Sequence, residues 1–291
     1  MTKFGSTQAA ELRATKDVFI SAIRYATSIV DPSPPFGDEL RTCAQEQVEF
    51  MLGDNEEILM VIADEEIKQE TRMGLCKIFS SFEKALLSPL LLELDVKDKA
   101  VENKIMQNLS DVEWLCNILL KTDLMKDFVS HWADISNDVL RVVEDEKLHS
   151  VMWGLKVKLI EVTSKVLDAV GYGNVILPAP GRVHLLKAWL PYVRKMKHLL
   201  DSMGNKEADF PYRMDEELSQ SIEGAIVSLV SALPSNSQAE ILADWMNGEH
   251  LKYPDLSEAF EVWCYRTKSA KRRLLEALAE SPLQFSASAS D

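Results

Sequence analysis

The chain has 291 residues, 46% hydrophobic and 27% charged, with 32 Lys plus Arg against 46 Asp plus Glu and a formal net charge of −14. Such a composition supports a filled core and excludes a disordered chain. The acidic excess argues against nucleic acid or an anionic membrane as the main partner, because both require local positive charge.

The first predicted element is a helix over residues 8–30, with Leu12, Val18, Phe19, Ile23 and Ile29 among its core candidates. It stops before Asp31, Pro32, Ser33, Pro34 and Pro35, since each proline disfavours helical geometry in the residue before it. A second helix runs from Asp38 to Leu52 and ends at Gly53. Asp64, Glu65 and Glu66 open a third that reaches Leu87; acids there complement the positive end of the helix dipole, worth roughly 0.3–1 kcal/mol each. Pro89 to Lys97 breaks the pattern, and a weaker helix follows over residues 98–108. Ser110 and Glu113 then read as a capping box. The helix they open carries Trp114, Leu115, Ile118 and Leu119, and Thr122-Asp123 begins another that continues to Val143.

From Leu148 to Leu200 the pattern is two long amphipathic helices joined by a loop rich in glycine and proline. Met152, Leu155, Leu159, Val162, Val166 and Ala169 alternate at spacings of three and four, which sets them on one face. Gly171 reads as the C-terminal cap, where a residue without Cβ enters the left-handed region cheaply. The second helix starts after Pro178 and Pro180. Its apolar side holds Leu185, Trp189, Tyr192, Val193, Met196 and Leu199, and its other side Lys187, Pro191, Arg194 and His198.

A polar loop, Gly204 to Tyr212, is the candidate subdomain boundary, dividing a region 1–203 from a smaller helical unit 213–279. In that unit a helix over Asp215–Leu233 aligns Leu218, Ile222, Ile226, Leu229 and Leu233. Ser235 and Gln238 cap a short helix that ends at Gly248. The last helix, Asp255–Ala279, carries Phe260, Trp263, Leu274 and Leu278, and residues 280–291 form a low-complexity tail expected to be disordered. The fold class is therefore all-α: about ten or eleven helices by periodicity, short connections, and an irregular stack of antiparallel helical hairpins. No repeat at a tetratricopeptide or ankyrin period stands out.

Cys43, Cys76, Cys116 and Cys264 are far apart, form no C-x-x-C, and each falls in an apolar helical pattern. Reduced core thiols are expected, and with them a reducing compartment, cytoplasmic or nuclear. The N-terminus has no apolar signal core, and no stretch approaches the roughly eighteen apolar residues of a membrane span.

Residue chemistry offers no catalytic constellation, cofactor site or metal site. Asn137 and Asp145 occupy two of the three positions of a terpenoid-synthase magnesium motif, but Arg141 stands where a hydroxyl is needed, and a guanidinium repels a cation. His131, His149, His184, His198 and His250 are scattered, and Gly171-Tyr172-Gly173 lacks the Lys-Ser/Thr of a phosphate loop. The six tryptophans read mainly as core. Lys268, Lys271, Arg272 and Arg273 resemble an import patch but suit a solvated helix face better. The informative surface feature is Lys187, Arg194, Lys195, Lys197 and His198, local positive charge on an acidic chain and the candidate protein-binding residues.

FISAIRYATSI (19–29), HWADISNDVL (131–140), VLDAVGYGNVILPAPGRVHLLKAWLPYVRKMKHLLD (166–201), ALPSNSQAEILADWMN (232–247) and AFEVWCYRTKSAKRRLL (259–275) resemble the helical region that follows the BTB domain in a group of plant BTB/POZ domain-containing proteins. In that group the BTB domain docks a cullin scaffold, and the BACK-like helices after it are thought to hold the substrate. The resemblance implies a non-catalytic substrate-binding adaptor of a cullin-RING ubiquitin ligase, with a protein substrate as partner. No segment has the mixed strand and helix pattern of a BTB domain, so the cullin contact such a domain makes is expected to be missing from this chain. A helical interaction module or competitor independent of ubiquitin is the alternative, and an all-α enzyme the remaining one.

Overall fold

The computed structural model describes residues 3–28, 36–53, 64–87, 99–121, 123–148, 151–207, 209–247 and 253–280. Their order is α1 (Lys3–Ala26), α2 (Gly37–Met51), α3 (Glu65–Leu86), α4 (Lys99–Leu119), α5 (Met125–Val143), α6 (Trp153–Gly171), α7 (Ala179–Lys206), α8 (Glu216–Ser231), α9 (Ser235–Met246) and α10 (Ser257–Glu280), with a 3-10 turn at Glu146–Leu148. The ten α-helices occur with no strand among the described residues, an all-α fold. The breaks expected at 31–35 and 89–97, Thr122, Gly248 and the tail 281–291 lie outside the described residues, as do the side chains of Leu12, Ile29, Leu274 and Leu278.

Neighbouring helices pack into a row. α2 lies on α1, α1 on α3, α3 on α4, α4 on α6, α6 on α8, and α8 on α10, with α9 against α8 and α10. α5 and α7 form a second layer: α5 touches α3, α4, α6 and α7, and α7 also touches α6. The core runs without a gap from Phe19 and Ile23 on α1 to Ala259 on α10.

Sequence patterning placed α3 and α8 well, and the reason is local. Asp64 and Asp215 each accept a backbone N–H of the first turn, from Glu66 at 2.8 Å and from Leu218 at 2.8 Å. Such caps satisfy donors that the helix itself cannot.

Other expectations are corrected. α1 begins at Lys3, five residues before the expected start at residue 8, and Val18 is 50% exposed because Phe19, Ile20 and Ile23 take the inward face. α4 is one continuous helix through Ser110. Its buried residues Ile105, Leu109, Val112, Cys116 and Leu119 keep a spacing of four and three across the expected break, and no proline or glycine interrupts them. Glu113 does not turn back to cap Ser110; it pairs with Lys158 and Lys165 of α6.

α6 keeps a narrow part-exposed polar line, Lys158, Glu161, Lys165 and Asp168, but its buried face is broader than expected. The expected face is buried, and so are Val157, Ile160, Thr163, Ser164, Leu167 and Val170, because α4, α5, α7 and α8 pack on the helix. Thr163 donates back to the Leu159 carbonyl at 2.7 Å, which satisfies its buried hydroxyl. Gly171 is the last helical residue rather than the left-handed one: that is Gly173, at φ 82. Gly171 serves close approach instead, since a Cβ there would meet the Ala225 carbonyl oxygen at 2.8 Å. α7 likewise starts before Pro180, which sits in its first turn, where a missing N–H costs nothing.

Gln238 does not cap its own helix. Its amide donates to the Val230 and Ser231 carbonyls at 2.8 and 2.9 Å, closing the end of α8. Only Cys116 of the four cysteines is buried; Cys43, Cys76 and Cys264 are exposed, all as free thiols. Apolar neighbours in sequence had suggested burial, but each of the three lies on an outer face. Burial pushes the Cys116 thiol up to about 12, which keeps it protonated and inert.

Candidate protein-binding surface

α7 is divided by burial. Leu185, Leu186, Trp189, Leu190, Tyr192, Val193, Met196 and Leu200 face the core. Trp189 anchors that side by stacking on Trp132 of α5 and donating its indole N–H to the Ser136 hydroxyl at 2.7 Å. Lys187, Pro191, Lys195 and His198 are exposed, and Arg194 and Lys197 are half-buried. Pro191 leaves the Lys187 carbonyl without its usual donor four residues on, a cost that water can meet on an exposed face.

The basic residues are interleaved with acids. Lys187 Nζ lies 2.7 Å from Glu240 of α9, which raises its affinity for the proton, and Lys195 Nζ lies 3.0 Å from Glu144 at the end of α5. Lys197 pairs with Asp201 at 3.1 Å, one turn on. Arg194 Nη2 donates to the Trp245 carbonyl at 3.5 Å. The row therefore bridges α7 to α9 on one side and to α5 on the other, through exposed ion pairs of small individual worth. Glu240 and Glu144 were not legible as partners, being 53 and 51 residues from their lysines. The second basic group is separate: Lys268, Lys271 and Arg272 lie exposed on α10, while Arg266 donates to the Ser231 carbonyl at 2.6 Å.

Other polar clusters are structural. Ser221 donates to Asp168 at 2.8 Å and lies 3.1 Å from the Ser164 hydroxyl, tying α8 to α6. Burial raises the Asp168 carboxyl. His131 lies against Phe79, the rings tilted by 45°, and bonds Glu83 at 3.1 Å, joining α5 to α3. Arg141 pairs with Asp138 at 2.8 Å. Among the described residues no group of three or more His, Cys, Asp or Glu is placed to hold a metal ion, and no helix is long and apolar enough to cross a membrane.

An all-helical body with a filled core and an exposed polar edge is the build of an interaction module, and the comparisons agree. The family model described as BTB/POZ Ankyrin-like repeat matches residues 64–270, and the chain belongs to that family. A BTB/POZ domain-containing protein of Arabidopsis thaliana is 42% identical over 273 residues, covering 92% of this chain and 60% of its own length. Two further BTB/POZ domain-containing proteins of Arabidopsis thaliana are 24% and 23% identical, over 70% and 59% of this chain and 39% and 29% of theirs. The chain thus spans well under two thirds of the curated relatives it matches. No solved structure matches. Membership suggests a protein-interaction adaptor. Ankyrin repeats recur about every 33 residues, whereas α7 alone takes 28.

Proposed function

We propose that this chain is the substrate-holding helical part of an adaptor for a cullin-RING ubiquitin ligase, and that the α7 row Lys187, Arg194, Lys195, Lys197 and His198 is the edge on which a protein substrate docks. The observation that carries the reading is the family match over residues 64–270, borne by helices that share one buried apolar core. A cullin-docking BTB domain is built of strands and helices, and the described residues contain no strand, so the reading assigns them to the substrate side. An acidic segment suits the row, since it could replace Glu240 and Glu144 as counter-charge.

The test is affinity purification from native tissue with the wild-type chain and with Lys187→Glu plus Arg194→Glu, followed by turnover of each captured protein. Partners lost with the variant should carry ubiquitin and accumulate when the gene is silenced. Partners captured equally by both proteins would remove the α7 row from the site. Partners whose turnover ignores silencing would leave an interaction module without a ubiquitin role.

A further inference from the structure

α2 is the outermost helix of the row, and its inward face is accounted for. Gly37, Val48 and Met51 are buried, Ala44 is half-buried, and Arg41 and Gln45 reach across to Asp111 of α4 at 2.9 and 3.2 Å. Its outward face carries Phe36, Leu40, Cys43, Gln47 and Phe50, all exposed. Their spacing is four, three, four, three, which is the seam of a coiled coil. Leu40 and Phe50 are 54% and 78% exposed, far above what a settled surface needs for large apolar side chains. Phe36 heads the seam at φ 62, a left-handed backbone that costs a bulky residue free energy, and it turns its ring to solvent rather than into the core. On α1, the helix beneath, Val18 and Tyr25 are seven residues apart on one face and are also exposed.

In heptad terms Phe36, Cys43 and Phe50 take the d positions and Leu40 and Gln47 the a positions. The e flank, Gly37, Ala44 and Met51, is the side packed on the body. The g flank is Glu39 and Glu46, both exposed. Flanking charges decide which helix pairs with which, and a polar a residue sets register at some cost in stability. An antiparallel second copy of α2 would set glutamate against glutamate, and the net charge of −14 opposes self-association in either direction.

We infer that α2 is a docking seam for a single amphipathic helix of a partner protein, one with an apolar heptad stripe and Lys or Arg along the flank that meets Glu39 and Glu46. This surface is distinct from the α7 row and does not depend on it.

The probes are two labelled helical peptides of about three heptads with the same leucine and isoleucine seam, one flanked by lysine and arginine and the other by glutamate, titrated into the full chain by fluorescence anisotropy. The basic peptide should bind at least about tenfold more tightly, and that preference should shrink at high salt, as screening requires. Glu39→Lys with Glu46→Lys should reverse the preference. Leu40→Asp with Phe50→Asp should abolish binding of both peptides with the melting temperature retained, because both side chains are exposed, while Lys187→Glu with Arg194→Glu should change neither affinity. Equal affinity for the two peptides, or binding that survives Leu40→Asp with Phe50→Asp, overturns the inference. So does a wild-type dimer in sedimentation that those two substitutions dissolve, since the occupant is then a second copy.

Discussion

Trp132 and Trp189 lie ring on ring, their centroids 5.7 Å apart and their planes 12° from parallel, each almost wholly out of solvent. The pair joins α5 to α7, and Phe79, Phe82 and Phe128 surround Trp132. Aromatic contacts of this kind add about 0.5–1.5 kcal/mol beyond the area they bury. Trp189→Ala is expected to cost roughly 3–5 kcal/mol in urea unfolding, for the cavity and the lost stack together. Ser136→Ala removes the acceptor of the buried indole N–H, together with the hydroxyl's own donation to the Trp132 carbonyl at 2.7 Å, and should cost about 1–3 kcal/mol. Equal losses for the two would mean that the hydrogen bond, not the packing, holds α7 in place.

Three glycines separate three causes. Gly171→Ala puts a Cβ 2.8 Å from the Ala225 carbonyl oxygen, so α6 and α8 must part, and thermal unfolding should show a large loss of stability. Gly173→Ala has open space but a φ of 82, and should lose about 1–2 kcal/mol from the left-handed backbone alone. Gly204→Ala, in α7 with nothing within 4 Å, should gain up to about 1 kcal/mol from helix propensity.

The Arg41–Asp111 pair is 2.9 Å apart, with side chains 13% and 7% exposed. Burial holds the Asp111 carboxyl above the usual carboxylate range even with Arg41 beside it. Arg41→Ala strands that charge and is expected to cost roughly 3–5 kcal/mol near neutral pH. A raised native pKa means that the folded state binds the proton more tightly than the unfolded chain. Stability from this group therefore falls as pH rises from below its unfolded value through the folded one. Acid should accordingly narrow the gap between Arg41→Ala and wild type in denaturant midpoints; a gap that widens in acid would count against a buried carboxylate as the cause.

Lys156 is buried, with its ammonium 2.5 Å from the Leu148 carbonyl and 4.8 Å from the Trp153 ring. Burial, helped by Lys195, lowers it to about 8. Here the unfolded chain binds the proton more tightly, so wild type should gain stability as pH rises from about 8 towards 10.5. Measured against Lys156→Met, that gain should be on the order of 2 kcal/mol. A flat difference across that range would show that the ammonium keeps its charge in the fold.

The sequence by itself determined the all-α class, the boundaries of α3 and α8, and the apolar side of α7. These follow from local rules: periodicity of 3.6 and an aspartate whose oxygen reaches a first-turn N–H. It also carried the family, in segments such as 166–201. Tertiary structure decided what depends on neighbours far along the chain. α6 is buried around most of its girth because four helices pack on it, and no period in its own residues could announce them. Glu113 turned from capping its own helix to Lys158 and Lys165 because those cations arrive from α6. Gln238 left its own helix for the end of α8. Lys187 and Lys195 acquired Glu240 and Glu144 only when α9 and α5 came alongside. Cys43, Cys76 and Cys264 look like Cys116 in sequence, yet Cys116 alone of the four is buried. Local chemistry chooses the helices; which face stays wet, and which charge meets which, waits on packing.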